Sequence, residues 1–442
     1  MSEPVSPTLR QLVAVSARIG CLSFGGPAGQ IALLHRELVD RTGWIAEREF
    51  LHALNLCHLL PGPEAQQLAT WAGWRLHGWR GGMVAGGLFV LPGALVMLGL
   101  SILYAYAAGL SWFAALFLGI KAAVLAIIAQ ALLRIARRAL VTPLQGALAA
   151  GGFAALFLLG APFPLVVVAA LAMGSVVGIM APARLALAPP LDTTAPPAAP
   201  PWRTSVIAVT VFGALWLVPL ALVIAFLGSD HVLADIGRLF ARLALVSFGG
   251  AYAVLAYLAQ DAVAGFGWLA APEMADGLGL AETTPGPLIL VTQFVGFLAA
   301  FRAPEPFTPL IAGILGAGMT LWVTFIPCFL WIFALAPWLD KIERAPALRG
   351  GLAAVTAVIV GVIAQLGLWF ALHVLFTALQ PVSAGPLRFD WPVWASFDWR
   401  AGVIAMLGAV LIFAFNRGVA LTLAVCALAG LILGVAIPAV TA

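Results

Sequence analysis

The chain has 442 residues, 63% of them hydrophobic and 9% charged, with a formal net charge of +4. That composition excludes a soluble globular protein, and so small a charge, scattered over loops, excludes a nucleic-acid-binding role. The first ten residues lack a basic stretch followed by an apolar one, so no cleaved leader is expected. Cys21, Cys57, Cys328 and Cys426 stand apart without Cys-x-x-Cys spacing, which argues against a disulfide framework or a metal site.

Taken in chain order, the first elements are two arms, Leu9–Ser23 and Pro27–Leu38, separated by Ser23-Phe24-Gly25-Gly26-Pro27. Two more, Glu49–Leu60 and Glu64–His77, flank Pro61-Gly62-Pro63 and are 12 and 14 residues long. At 1.5 Å per residue neither reaches across roughly 30 Å of hydrocarbon. Arg10 and Arg36 bracket the first pair; Arg48, Arg75 and Arg80 bracket the second. Each pair therefore reads as a hairpin that enters and returns on one side, a broken full span being the alternative. Gly82–Ala107, Ser111–Leu133 and Ala147–Gly160 follow as span candidates, then a Pro/Ala-rich linker at Pro189–Pro201, and then Ser205–Leu227, a span without a partner in the first half.

The second half repeats the first. At an offset of 224 residues, Ser247-Phe248-Gly249-Gly250 and Pro285-Gly286-Pro287 answer Ser23–Gly26 and Pro61–Pro63, and Arg242 and Asp261 answer Arg18 and Glu37. Beyond an 11-residue insertion near Arg302–Phe307 the offset becomes 235, so that Pro92 answers to Pro327 and Lys121 to Thr356. The basic cluster Arg134, Arg137 and Arg138 trails its span, whereas Lys341, Arg344 and Arg349 lead theirs. Because cytoplasmic loops collect Lys and Arg, the halves read as inverted repeats joined by the lone span. The expected fold is an all-α integral membrane protein, with an N-terminal repeat (1–184), a linker and linking span (185–230) and a C-terminal inverted repeat (231–442). Each half would supply two hairpins and four spans.

The chemistry points to an anion. Gly-Gly and Pro-Gly-Pro break helices, and non-helical backbone at membrane depth is tolerated only against protein or water. Helix starts at Pro27, Glu64, Ala251 and Leu288 would aim their N–H groups and positive dipole ends inward. The alternative is that the glycines merely permit close packing. Arg18 and Arg242, just before the breaks, can hold a tetrahedral oxyanion if buried, or snorkel if not. Lys121 lies midway along its span and needs a cavity or an acid, Glu64 being the obvious partner; Glu64 can equally be a helix-start acid. Gln66, Gln67 and Gln293 can donate to oxygen ligands, with Asn55, Thr283 and Thr284 lining the same tips. His58, Glu64, Glu282, Glu37 and Asp261 are the candidates for carrying protons, although Glu37 and Asp261 suit ion pairs at hairpin ends, and any of the polar groups can be a satisfied interhelical hydrogen bond. Trp44, Trp71, Trp74, Trp79 and Trp268 suit interfacial anchoring. No nucleophile set, metal motif or phosphate loop is present, so no cofactor and no ATP are called for.

At Ser23–Pro27, at Asn55–Leu68 (NLCHLLPGPEAQQL), and at Ser247–Gly250 with Thr284–Pro287, the sequence resembles the chromate ion transporter family in its long, two-half form, over essentially the whole chain. The resemblance implies export of chromate across the bacterial inner membrane by a secondary carrier of two inverted halves, conferring chromate resistance. Sulfate or a related oxyanion is the alternative cargo, and a membrane-embedded acid/base enzyme using His58, Glu64 and Glu282 the distant one. A homodimer is an assembly open to it. Leu288 stands where the first half has Glu64, so the halves are chemically unequal.

Overall fold

The computed structural model describes residues 7–24, 26–187, 202–247, 251–338, 345–385 and 387–436. Gly25, Phe248, Gly249, Gly250, the Pro189–Pro201 linker, Lys341 and Arg344 lie outside them.

The chain opens with α1 (Leu9–Leu22), started by a capping box in which Thr8 accepts from the Gln11 amide and Gln11 reaches back. Next come α2 (Gly26–His35) and α3 (Glu47–Leu59). α4 (Glu64–Ala107) is continuous only in its hydrogen bonding: His77 and Gly78 leave helical dihedrals, Gly78 with φ +61°. The arm from Glu64 therefore ends where its length predicts, and the chain folds back onto itself, since a methyl group on Gly73 would overlap the carbonyl of Gly81. α5 (Ser111–Ala139), α6 (Pro143–Phe157), α7 (Phe163–Met180) and α8 (Trp202–Leu227) complete the first half and the lone span.

In the second half α9 (Val232–Val246), α10 (Ala251–Ala259) and α11 (Ala271–Thr283) take the places of α1 to α3. A short 3-10 turn at Leu288–Leu290 then leads into α12 (Val291–Arg302), and α13 (Pro309–Leu335) follows a loop at 303–308. The insertion thus separates two helices that the first half keeps joined through a kink. Pro92 within α4 and Pro327 within α13 occupy equivalent positions. The chain closes with α14 (Pro346–Leu375), α15 (Trp399–Ala409) and α16 (Val419–Ala436).

The repeat extends to details that composition does not reveal. π-helical turns end α2 and α10, at Arg36–Arg41 and Gln260–Gly265. After them Gly43 and Gly267 adopt φ +60° and +63°. The Trp44 amide donates to Leu38 at 3.0 Å, and the Trp268 amide to Ala262 at 2.9 Å. Left-handed backbone of this kind is open to glycine and strained for other residues.

The all-α class holds, with one element unforeseen: an antiparallel ribbon of β1 (Leu379–Ala384) and β2 (Leu387–Pro392), Leu379 opposite Pro392, turning at Gly385 (φ +62°). Of the nine expected spans, six helices among the described residues are long and apolar enough to cross a membrane: α4, α5, α7, α8, α13 and α14. The other three, Pro143–Phe157, Trp399–Ala414 and Val419–Gly434, are shorter apolar helices, the second ending in a π-helical turn at Val410–Ala414.

The helices gather into two compact units, each drawing on both halves of the sequence. The first comprises Met1–Ile102, Pro190–Val254 and Thr284–Ala345; the second comprises Leu103–Pro189, Leu255–Thr283 and Pro346–Ala442. The second unit is knit by small residues. Gly174 and Gly178 of α7 lie on Gly350 and Gly351 of α14 so closely that a methyl group on Gly178 would meet the Gly350 Cα at 2.7 Å. Such spacing lets helix backbones touch where no hydrophobic effect drives them together.

Candidate functional site

In the first unit the breaks of one half are bonded to the breaks of the other. The Gly62 amide donates to the Ser247 carbonyl at 2.9 Å, and the Gly286 amide donates to the Ser23 carbonyl at 2.9 Å. Both serines are buried, and each turns its hydroxyl back onto its own helix, Ser23 to Gly20 and Ser247 to Ala244, at 3.1 Å. Gly62 and Gly286 hold φ +123° and +90°, which is why each proline pair encloses a glycine. Pro61, Pro63, Pro285 and Pro287 are buried with them. Each tip also rests on the other half's proline-bearing helix. A methyl group on Gly62 would stand 2.9 Å from Cys328 Sγ, and one on Gly93 would overlap the Pro285 carbonyl. Gln30, which the sequence does not single out, donates to the Gly286 carbonyl at 2.6 Å and to Ser23 at 3.3 Å. Its equivalent is Val254.

The polar side chains beyond the tips are largely engaged by protein. Gln66 and Gln67 are fully buried, their amide nitrogens donating to Thr70 Oγ1 at 3.1 Å and to the Pro61 carbonyl at 2.7 Å. Gln293 donates to Ala94 at 2.9 Å. All three carbonyl oxygens, Oε1 in each case, are buried without a hydrogen-bond partner among the described residues. Of these, only the Gln293 bond is the interhelical one that the sequence leaves open as the plainer reading; Gln66 bonds within its own helix and Gln67 back to its own tip. Glu64 Oε2 lies 3.4 Å from His58 Nε2, so it is a helix-start acid with a histidine neighbour.

The expectation that Lys121 pairs with Glu64 is corrected. In the second unit Lys121 Nζ, midway along α5, lies 3.4 Å from Asp276 Oδ1 on α11. Tyr104, near the end of α4, donates to Asp276 Oδ2 at 2.7 Å. α11 reaches α5 because Gly279 has no side chain to strike Ile120. Asp276 sits in a run that is buried from Met274 to Glu282, where a carboxylate needs a counter-charge. A carboxylate flanked by Met274, Ala275, Gly277 and Leu278 was the available signal; its partner lies 155 residues away in sequence, beyond the reach of any local pattern.

The arginines are placed differently from a buried anion clamp. The Arg18 side chain is 48% exposed, with Nη1 3.8 Å from Glu37 Oε2, while Arg41 donates to the same oxygen at 2.9 Å. Glu37, only 4% exposed, is therefore an ion-pair residue on the π-helical turn. Arg242 is exposed, and Asp261, on the second π-helical turn, is partly so. Gly26 starts α2 with φ +71°, followed by the partly exposed Pro27. Phe24, Asn55, His58 and Thr283 are exposed; Glu282 and Thr284 are buried. Trp71 is buried at 6% exposure, not an interfacial anchor, because it lies on the packed arm after the first tip.

Helices interrupted at glycine and proline, with their broken ends bonded to one another, and a lysine held mid-helix against a distant aspartate define a class: an α-helical, multi-pass membrane protein. A model of the chromate transporter family matches residues 10–175 and 234–432, so both halves are covered, and the chain belongs to that family. It is 30% identical over 364 residues to a probable chromate transport protein of Synechococcus elongatus, covering 81% of this chain and 85% of that one. It is 31% identical over 358 residues to the chromate transport protein of Cupriavidus metallidurans (80% and 81% covered), and 32% over 370 residues to that of Pseudomonas aeruginosa (82% and 81%). No solved structure matches. The protein is accordingly a multi-pass protein of the bacterial inner membrane.

Proposed function

We propose that the protein transports chromate, exports it from the cytoplasm by secondary transport, and thereby confers chromate resistance. The observation that carries this reading is the reciprocal bonding of the two Pro-Gly-Pro tips to Ser23 and Ser247, in a chain whose relatives are named chromate transport proteins. Broken helices joined at their tips supply oriented backbone dipoles, and the starts of α2, α4, α10 and α12 offer N–H groups of the kind that suit a tetrahedral dianion. Arg18 and Arg242 add positive charge on the approach. Two inverted halves, their tips re-entrant from opposite sides, alternate access by movement of the hairpins.

Export needs no ATP. Each charge moved down 100 mV is worth about 2.3 kcal/mol, so a dianion leaving a negative cytoplasm gains about 4.6 kcal/mol, roughly a thousandfold gradient. The test is flux in liposomes bearing the purified protein. Chromate should accumulate on the positive side of an imposed potential and do so in the absence of ATP. Absence of flux under any imposed potential or proton gradient would sink the reading, and sulfate competing at equal concentration would widen the cargo to tetrahedral dianions.

A further inference from the structure

The Lys121–Asp276 pair has a geometry that a purely structural salt bridge does not need. Asp276 Oδ2 is held by the Tyr104 hydroxyl at 2.7 Å, whereas Oδ1 faces Lys121 Nζ at the longer distance of 3.4 Å. The carboxylate is thus fixed by tyrosine on one side and only loosely engaged by lysine on the other. The exposure is uneven too, 8% for the Asp276 side chain and 19% for Lys121, so the ammonium is the more accessible end of the pair. Among the described residues, the remaining groups around the carboxylate bring no second cation to it. Glu273 lies one turn earlier on α11 itself. α14, which packs on α11, carries Arg349 and His373 only near its ends, and α16 carries Cys426. Finally, the pair occurs once: the repeat equivalents of Lys121 and Asp276 are Thr356, which bonds its own helix at Leu352, and His52.

We infer that Asp276 is a tethered counter-ion for Lys121, filling in the empty carrier the place beside the ammonium that an oxyanion takes in the loaded one. When the anion enters, Lys121 exchanges one negative partner for another, and the carboxylate is left buried without a cation. It is then neutralised by a proton from water, which bonds to Oδ1 while Tyr104 keeps Oδ2. No bond other than that O–H forms, and one proton is taken up for each anion bound. This inference rests on the proposed oxyanion transport and adds to it the coupling ion and the residue that carries it: with one proton leaving per dianion the net charge moved is one negative, so the potential contributes half of what it gives the bare dianion.

The test is equilibrium binding of sulfate and of chromate to the purified full chain across neutral and alkaline pH, with proton uptake read in lightly buffered solution. Sulfate stays a full dianion over this range, so its curve isolates the protein's own titration. Wild-type affinity should rise by about tenfold per pH unit as pH falls while one proton is absorbed per anion. Asp276→Asn should bind as tightly as the protonated wild type at every pH, absorb no proton, and exchange anion slowly in liposomes. Asp276→Glu should restore the pH dependence, and Lys121→Gln should lose binding. The double variant K121Q/D276N, which buries no charge, serves as the folding control and should stay folded yet inactive. Recovery of wild-type binding and exchange in the double variant would show that the pair only holds the fold and would overturn the inference, as would unchanged proton uptake in Asp276→Asn. Wild-type protein that binds and moves no oxyanion would instead overturn the transport reading on which it stands.

Discussion

The two Pro-Gly-Pro tips are copies in backbone and opposites in side chain. Both place a glycine in left-handed backbone between prolines, and both give that glycine's amide to a buried serine carbonyl at 2.9 Å. The first tip then runs directly into a helix bearing Glu64, Gln66 and Gln67 and is backed by Cys328. The second passes through an apolar turn, Leu288–Leu290, is backed by Gly93, and takes an extra donor from Gln30. Duplication has kept the hydrogen-bonded frame, which depends on backbone geometry, and let the polar lining diverge. The first tip therefore places an acid and two amides directly on the helix that leaves it, whereas the second carries its acid, Glu282, before the tip and its amide, Gln293, beyond an apolar turn.

That contrast can be broken most severely at Gly93. A methyl group there would strike the Pro285 carbonyl, a backbone group that cannot turn aside, and stand 2.7 Å from Leu290 Cδ1. Gly93→Ala should destabilise the protein by about 3 kcal/mol, read as a fall in melting temperature in detergent, whereas Cys328→Ala at the equivalent position should cost about 1 kcal/mol. Next come the tip glycines. Alanine in left-handed backbone costs about 1–2 kcal/mol. At Gly62 it would also crowd Gln67 Nε2 and Cys328 Sγ at 2.7 and 2.9 Å, while the nearest atom at Gly286 is Leu290 Cδ1 at 3.1 Å. Gly62→Ala should therefore lose more stability and more chromate flux than Gly286→Ala, and equal losses would refute the asymmetry.

A smaller effect belongs to Gln30. Gln30→Leu removes the 2.6 Å donor from the buried Gly286 carbonyl and should cost about 1–3 kcal/mol, leaving the first tip's bond to Ser247 untouched. A position outside both tips sets the floor. Asp398 caps α15, accepting from the Arg400 and Ala401 amides and paired with the Arg400 side chain at 3.0 Å. Burial alone would raise its carboxyl, but Arg400, by hydrogen bond and charge, together with the cap bonds holds it below the usual carboxylate range. A lowered folded value means the contribution is complete above about pH 4, the value for an unfolded carboxylate, and fades as pH falls through the folded one. Asp398→Ala should cost about 1 kcal/mol at neutral pH, shrinking in acid, with transport unchanged.

Much of the site's frame was legible in the letters because it rests on residues with unusual backbone rules. Glycine and proline mark where helices must stop, and counting from those marks placed the arm ends, including the break at His77–Gly78. The β-ribbon was legible too, in the alternation Leu387, Phe389, Trp391 beside Gly385, but it is easily passed over in a chain this apolar. Span length was less secure: α6 and the helices after the ribbon look like full spans in hydropathy and are shorter in the fold. Side-chain partners were the least accessible. Lys121 announces that it needs an acid, yet Glu64 and Asp276 satisfy that need equally well on paper.

The sequence by itself thus determined that the protein is a duplicated membrane protein with its helices broken at matching points, because hydropathy, repeat offset and Gly/Pro chemistry are local properties of the chain. Only the tertiary structure decided that each tip bonds to the other half's serine, and that Lys121 meets Asp276 and Tyr104. Those choices depend on which helices pack side by side, and in a membrane that is set by where small residues let backbones approach. A pair 155 residues apart carries no trace of that approach until the helices are in place.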